Sequence, residues 1–239
     1  MRLRARVFWT PKGGSTEEEY EDAYWPTRDI DGRLKGFRCA VGDGATESSF
    51  SGLWARLLVR AYCRKALDGR RLDRSLRELA CIWRSQAVTG ALPWYAEQKL
   101  EQGAFSSLLG LQIGEDGQWR SSAVGDTCLF HLRSGDVREV FPVERADDFT
   151  NSPVLISSAP HHNRTLSGYA RELSGEWERG DVFLLMTDAI ACWYLRCIEE
   201  GGCPSIPRRR PSFGPWLARM RNDGAVRNDD TTLMRVEML

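Results

Sequence analysis

Five acidic spots stand where strand-like apolar runs stop or start. Asp43 lies between two glycines at the end of "FRCAVGDG". Asp126 follows Val124-Gly125 in "SSAVGDTCLF", and Asp188 interrupts "DVFLLMTDAIACWYL". Asp229 and Asp230 precede the alternating run "TTLMRVEM". Glu21-Asp22 precede an aromatic pair in "EEEYEDAYW". A carboxylate taken out of water is costly unless it is paired or bound to metal. A lone Asp between glycines is a turn and cap residue, or it is a ligand for something positive. Several such acids brought together are tolerable chiefly around cations.

The elements that must position them read as follows. Residues 2 to 9 alternate Arg with Leu, Ala, Val and Phe, the period of a half-buried strand. "DAYW" begins a second strand. "IDGRLKGFRCAVGD" reads as a hairpin turning near Asp31-Gly32, with its second strand ending at Asp43. From Thr46, a candidate N-cap, the period becomes helical, with Phe50, Leu53, Trp54, Leu57, Leu58, Ala61 and Tyr62 on one face. A second helix starts near Asp73. "TGALP" breaks it, and "WYAEQKLEQG" continues as a short helix. Strands return with "AFSSLLGLQIG", "QWRSSAVGD", "TCLFHLRSGD" and "VREVFPV". Residues 144 to 180 carry few signals. "DVFLLMTDAIACWYL" is a strand, then Asp188, then a helix. Pro204 to Pro215 reads as a loop, "WLARMRNDG" as a short helix and "DDTTLMRVEM" as a closing strand. The order is not the strict alternation of a parallel sheet. It predicts an α+β protein of antiparallel sheets covered by helices.

The chain has 239 residues, with no repeat, low-complexity tract or clear linker. A single domain over residues 1–239 is expected. Lys plus Arg and Asp plus Glu both number 33, so no basic footprint for nucleic acid exists. The N-terminus has no signal-peptide core, and the longest apolar run is broken by Asp188 and is too short to span a bilayer. A cytoplasmic protein without a membrane partner is expected, its seven cysteines reduced. Cys192, Cys197 and Cys203 lack a paired zinc spacing and read as small buried residues. His161-His162 read as surface histidines, and Arg208 to Arg210 as an exposed charge run.

Glu21-Asp22, "VGDGA" (41–45), "GAFSSLLGL" (103–111), "AVGDTCLF" (123–130), "DVFLLMTDAI" (181–190) and "NDDTTLMRV" (228–236) match the order and approximate spacing of the PP2C (PPM) family. The chain resembles its bacterial branch over nearly its whole length. The family comprises metal-dependent serine/threonine protein phosphatases. The resemblance implies a four-layer α-β-β-α sandwich, two antiparallel sheets flanked by helices, with the acids converging at one end. It implies that Asp43 bridges two ions, joined by the carbonyl of Gly44. Glu21 resembles a ligand of the second ion, and Asp188 and Asp229 resemble ligands of the first. Asp22 resembles an acid that holds metal-bound water, and Asp126 one that holds a third ion with Asp188. Hard oxygen ligands suit Mn²⁺ or Mg²⁺. Two such ions roughly 3.5–4 Å apart share and acidify a water, which would attack a phosphoserine or phosphothreonine. The implied partner is a phosphorylated protein, with a Ser/Thr kinase as a further partner.

The departures are specific. Asp43-Gly44 is followed by Ala45-Thr46-Glu47, with no His to protonate a leaving group. Thr187-Asp188-Ala189 and Asp229-Asp230 keep the first carboxylate of their motifs. Asp230 reads as a solvated neighbour or a partner to a backbone amide. The arginine that some members place four residues before the Glu is Glu17 here, which leaves Lys12 as the candidate phosphate-binding residue. Two rivals remain open: a pseudophosphatase of the same fold that binds a phosphoprotein or kinase, and a hydrolase of small phosphoesters.

Overall fold

A computed structural model describes residues 1–67, 72–88, 100–150 and 152–239. Among these residues, thirteen strands form two large antiparallel sheets and a short ribbon. One large sheet has six strands, in the order β3 (Ile30–Arg33), β1 (Arg2–Thr10), β13 (Thr231–Met238), β12 (Val182–Met186), β8 (Cys128–Arg133) and β9 (Asp136–Phe141). The other has five: β11 (Arg171–Glu176), β7 (Gln118–Val124), β6 (Leu108–Gly114), β4 (Gly36–Gly42) and β2 (Ala23–Trp25). β5 (Phe105–Ser106) and β10 (Ile156–Ser157) form the ribbon.

The strands carry apolar side chains on both faces, because each sheet is covered twice. In β1, Leu3, Ala5 and Val7 point between the sheets, where Phe37, Cys39, Val41, Leu109, Leu111 and Ile113 meet them. Phe8 points the other way, onto two helices. β12 divides in the same manner, with Phe183 and Leu185 inward and Leu184 and Met186 outward. Helix α1 (Ser51–Cys63) covers the five-stranded sheet, and α2 (Leu72–Ala87) packs on α1. Helices α3 (Asp188–Glu199) and α4 (Arg210–Asn222) cover the six-stranded sheet. The four layers expected from the resemblance are therefore present.

The contact between α1 and its sheet is close enough to require a glycine. A Cβ placed on Gly110 would lie 2.1 Å from Cζ of Tyr62, whose ring fills that place. Gly110→Ala should cost about 2 kcal/mol through overpacking and lower the melting temperature by roughly 4–8 °C. A melt indistinguishable from wild type would refute that packing argument.

Several local expectations are corrected. Residues 30 to 42 are not a hairpin: β3 pairs with β1 in one sheet and β4 pairs with β2 and β6 in the other. Thr46 caps nothing, since α1 starts at Ser51 after Phe50 in a left-handed conformation (φ 60°). Helix α4 starts inside the expected proline loop and contains Pro215. β11 lies in the segment with few signals. Cys192 and Cys197 are half-buried and Cys203 is exposed, rather than buried. The short helix expected from 94 lies mostly outside the described residues; Leu100 to Gln102 are helical. No helix among the described residues is long and apolar enough to cross a membrane.

Candidate active site

Strand register brings the acids to one end of the sandwich. β2 pairs with β4 so that Ala23 faces Gly42, which sets Asp22 beside Asp43. β12 pairs with β13, Met186 opposite Leu233. The Thr187 N–H then donates to the Thr232 carbonyl at 3.1 Å, which sets Asp188 beside the segment carrying Asp229 and Asp230. β6 pairs with β7, Leu108 opposite Val124, and this brings the Gly125-Asp126 turn to Ser107.

Ser107 joins two of these loops. Its hydroxyl accepts from the Asp43 N–H at 3.0 Å and shares a 2.5 Å hydrogen bond with the Thr127 hydroxyl. Its own N–H donates to the Asp43 carbonyl at 2.8 Å. Gly125 takes φ 95°, and a Cβ there would lie 2.6 Å from Cβ of Ser107. Gly44 is pressed as closely: a Cβ would lie 2.7 Å from the Glu21 carbonyl oxygen and 2.9 Å from the Ser51 backbone. The glycines around Asp43 and before Asp126 therefore serve close approach.

Asp43, Gly44, Asp126, Asp188 and Asp229 line one open cleft of about 640 Å³. Thr46 to Ser49 form one wall and Ser152, Pro153 and Leu155 another, with Arg227 and Phe105 also lining it. Glu21 and Asp22 stand behind this surface. The Glu21 carboxylate accepts from the Ser51 hydroxyl at 2.5 Å. Asp22 is buried, and one of its oxygens accepts from the Thr232 hydroxyl at 2.7 Å. Lys12 does not line the cleft. Its N–H and that of Glu21 donate to the two oxygens of the Asp230 carboxylate, at 2.8 and 2.7 Å. Asp230 is thus the partner of backbone amides, one of the two roles left open for it. A larger hollow of about 940 Å³ lies on the outer face of the six-stranded sheet, against Leu184 and Tyr194. Its acids are Asp136 and Glu237, and Glu237 is paired with Arg235, so the chemistry points to the smaller cleft.

The electrostatics are those of crowded anions. Burial, then the charges of Asp22, Asp188, Asp126 and Asp229, push the Asp43 carboxyl well above the usual range. Burial raises Asp22 strongly, with the Thr232 hydroxyl opposing. Burial pushes Asp126 up to about 7, with the Asp188 charge adding to it. Burial also raises Asp188, although the Arg227 charge works against it. Carboxylates so arranged resist ionisation until a cation arrives.

Oδ1 of Asp22 and Oδ1 of Asp188 are buried without a hydrogen-bond partner. An orphaned carboxylate oxygen in a cluster of acids is what an oxygen-seeking cation satisfies. The donor set, all oxygen and without His or Cys along the cleft, fits Mg²⁺ or Mn²⁺. Yet among the described residues no three acids, His or Cys are drawn together closely enough to hold one ion. Arg227 gives the reason on one side of the site, since its guanidinium contacts both Asp188 and Asp229.

Sequence reasoning missed Arg227, Ser107, Ser51, Thr187 and Thr232. Ser107 lies within the "GAFSSLLGL" motif and was available as a polar residue in an apolar strand. Arg227 stands two residues before Asp229, a spacing at which a long cation can fold back onto the acid.

No family model matches the sequence, and no curated protein does. Solved structures do match over the full chain. The serine/threonine phosphatase PstP/Ppp of Mycobacterium tuberculosis superposes with TM-score 0.63 at 15% identity, covering 100% of this chain and 99% of that one. The catalytic domain of the serine/threonine protein phosphatase PstP in complex with two manganese ions gives TM-score 0.58 at 16% identity, covering 98% of each chain. PppA, a regulatory component of T6SS in Pseudomonas aeruginosa, gives 0.60 at 17% identity, covering 100% and 99%. The chain has the fold of these phosphatases.

Proposed function

We propose, from that fold and its converging acids, that the chain is a metal-dependent phosphoprotein phosphatase. It acts as a single domain over residues 1–239, on phosphoserine and phosphothreonine that a Ser/Thr kinase has placed. The observation that carries this reading is the meeting of Asp43, Asp126, Asp188 and Asp229 on one open cleft, in a fold shared with phosphatases, one of them solved with two manganese ions.

Asp43, Glu21 and the Gly44 carbonyl would hold one side of a Mn²⁺ or Mg²⁺ pair, and Asp43, Asp188 and Asp229 the other. Asp126 with Asp188 would hold a third ion. Bound there, the ions supply an activated water and positive charge against the phosphate. The protein's own part is positioning. Ser107 fixes the Asp43 backbone, Ser51 fixes the Glu21 carboxylate, and the Thr232 hydroxyl orients Asp22. Asp22, buried behind the cleft surface, would help to hold the water that such ions bind. An open cleft with one polar wall, Thr46 to Ser49, admits a protein segment carrying a phosphorylated side chain.

A second reading has one observation in its favour. Arg227 bridges Asp188 and Asp229, as it could in a phosphoprotein-binding module that holds no ion. Phosphate release from a phosphothreonine peptide, measured in EDTA, Mg²⁺ and Mn²⁺, separates the two. Release with metal and none in EDTA is the expected result. A folded protein that releases nothing under any condition would sink the hydrolase and favour the binding module.

A further inference from the structure

We propose that Arg227 is an internal counter-cation that takes the place of the ion between Asp188 and Asp229, and so sets how tightly this site binds metal. The inference rests on the metal-dependent reading above. Arg227 is the one Lys or Arg lining the cleft among the described residues. Its guanidinium contacts Oδ2 of Asp188, and Oδ2 of Asp229 at 2.9 Å. These are the two acids that the family resemblance implies for one ion. Both contacts come from one terminal nitrogen, Nη2, so a single fixed positive charge sits between the two carboxylates.

The neighbouring backbone is built to stay when this side chain leaves. Asn228 accepts from the Gly13 N–H at 2.7 Å. Arg221 donates to the Asp229 carbonyl at 2.5 Å and to Oγ1 of Thr231 at 3.0 Å, and its other prong donates to the Pro11 carbonyl at 2.9 Å. The loop is thus tied to β1 and α4 by other residues. The Arg227 side chain is 54% exposed and long enough to swing into solvent. An ion placed between Asp188 and Asp229 meets the guanidinium's charge head-on, so the two exclude each other. Without metal, the arginine offsets part of the repulsion among the acids. With metal, it is free in the cleft.

Calorimetric titration of the EDTA-stripped protein with Mn²⁺ tests this. Arg227→Gln should bind at least one Mn²⁺ about 10-fold more tightly than wild type, the equivalent of about 1.4 kcal/mol. Its metal-free melting temperature should fall, while its Mn²⁺-saturated melting temperature should stay within about a degree of wild type. Arg227→Lys keeps a positive charge on a shorter, more strongly hydrated head and should fall between the two. It also serves as the test if the glutamine protein does not fold without metal. Unchanged or weaker Mn²⁺ binding in the folded variants overturns the proposal and leaves the metal reading standing. Absence of Mn²⁺ binding in wild type and variants alike overturns both.

Discussion

Asp43→Asn should abolish phosphate release, by about 1000-fold or more, while making the metal-free protein more stable. The two halves have one cause. Asp43 directly follows β4 and feels the charges of Asp22, Asp188, Asp126 and Asp229 together. In the proposed reaction it is the group common to both ions, so its loss removes the shared ligand. The lost charge stabilisation is worth about 4 kcal/mol of barrier at that rate factor. In the absence of metal the same carboxylate is a liability. An amide of the same shape carries no charge, keeps an acceptor oxygen and offers N–H groups to the neighbouring acids. A gain of about 1 kcal/mol would raise the metal-free melting temperature by roughly 2–4 °C. The Ser107 hydrogen bonds use only the Asp43 backbone, so the variant should fold as wild type does. Full activity in Asp43→Asn would remove the carboxylate from the chemistry. Lost activity together with a lowered metal-free melting temperature would show that Asp43 supports the fold instead.

How much of this the sequence carried can be argued residue by residue. The acids were legible because each stands at the edge of a strand, and alternating hydrophobicity marks strand edges well. Their convergence was not derivable from spacing. It follows from pairings such as Ala23 with Gly42 and Met186 with Leu233, which are long-range, and the family resemblance supplied it. The expected hairpin at Asp31-Gly32 shows the same limit: both residues lie inside β3, which takes Arg2 to Ala5 as its partner. Thr46 resembled an N-cap because Thr often caps helices. Here residues 44 to 49 are spent on the cleft wall, and Ser48 bonds back to the Ala45 carbonyl at 2.9 Å. In α4, Pro211 occupies the first turn, where a missing N–H costs little, while Phe213 and Leu217 bury against the sheet. The proline-rich stretch is therefore a loop up to Arg209 and a helix start from Arg210. Lys12 is the expected phosphate-binding residue because the arginine that some members place four residues before the Glu is Glu17 here. The cation on the cleft is Arg227, on the far side of the site in sequence.

Raising the pH from 5 to 8 should lower the melting temperature of the metal-free protein, and saturating Mn²⁺ should cancel the fall. The folded carboxyls of Asp43, Asp22 and Asp188 are raised, and that of Asp126 is raised to about 7. In the unfolded chain each titrates near 4. Between those limits the folded protein binds more protons than the unfolded chain, so stability falls as pH rises. The fall continues past 7 for as long as Asp43 and Asp22 keep their protons. Other groups titrate differently. Asp181, held at about 2 by the Arg133 guanidinium, the Glu178 amide and His131 against the opposing effect of burial, contributes stability that is present above 4 and lost below it, outside this window. His162, lowered by burial beside His161, works with the opposite sign but lies on the exposed surface, where it is weak. A drop of roughly 5–10 °C is expected, since a few kcal/mol are shared among the crowded acids. Divalent ions need those acids ionised, so each ion bound expels protons and its stabilisation grows with pH. The metal-free and Mn²⁺-saturated melting curves should therefore diverge steadily from pH 5 to 8. A metal-free melting temperature that is flat or rising over that range would mean that the carboxylates are already neutralised within the fold. Arg227 would then be a sufficient counter-ion by itself, and the cleft would have no electrostatic demand for metal.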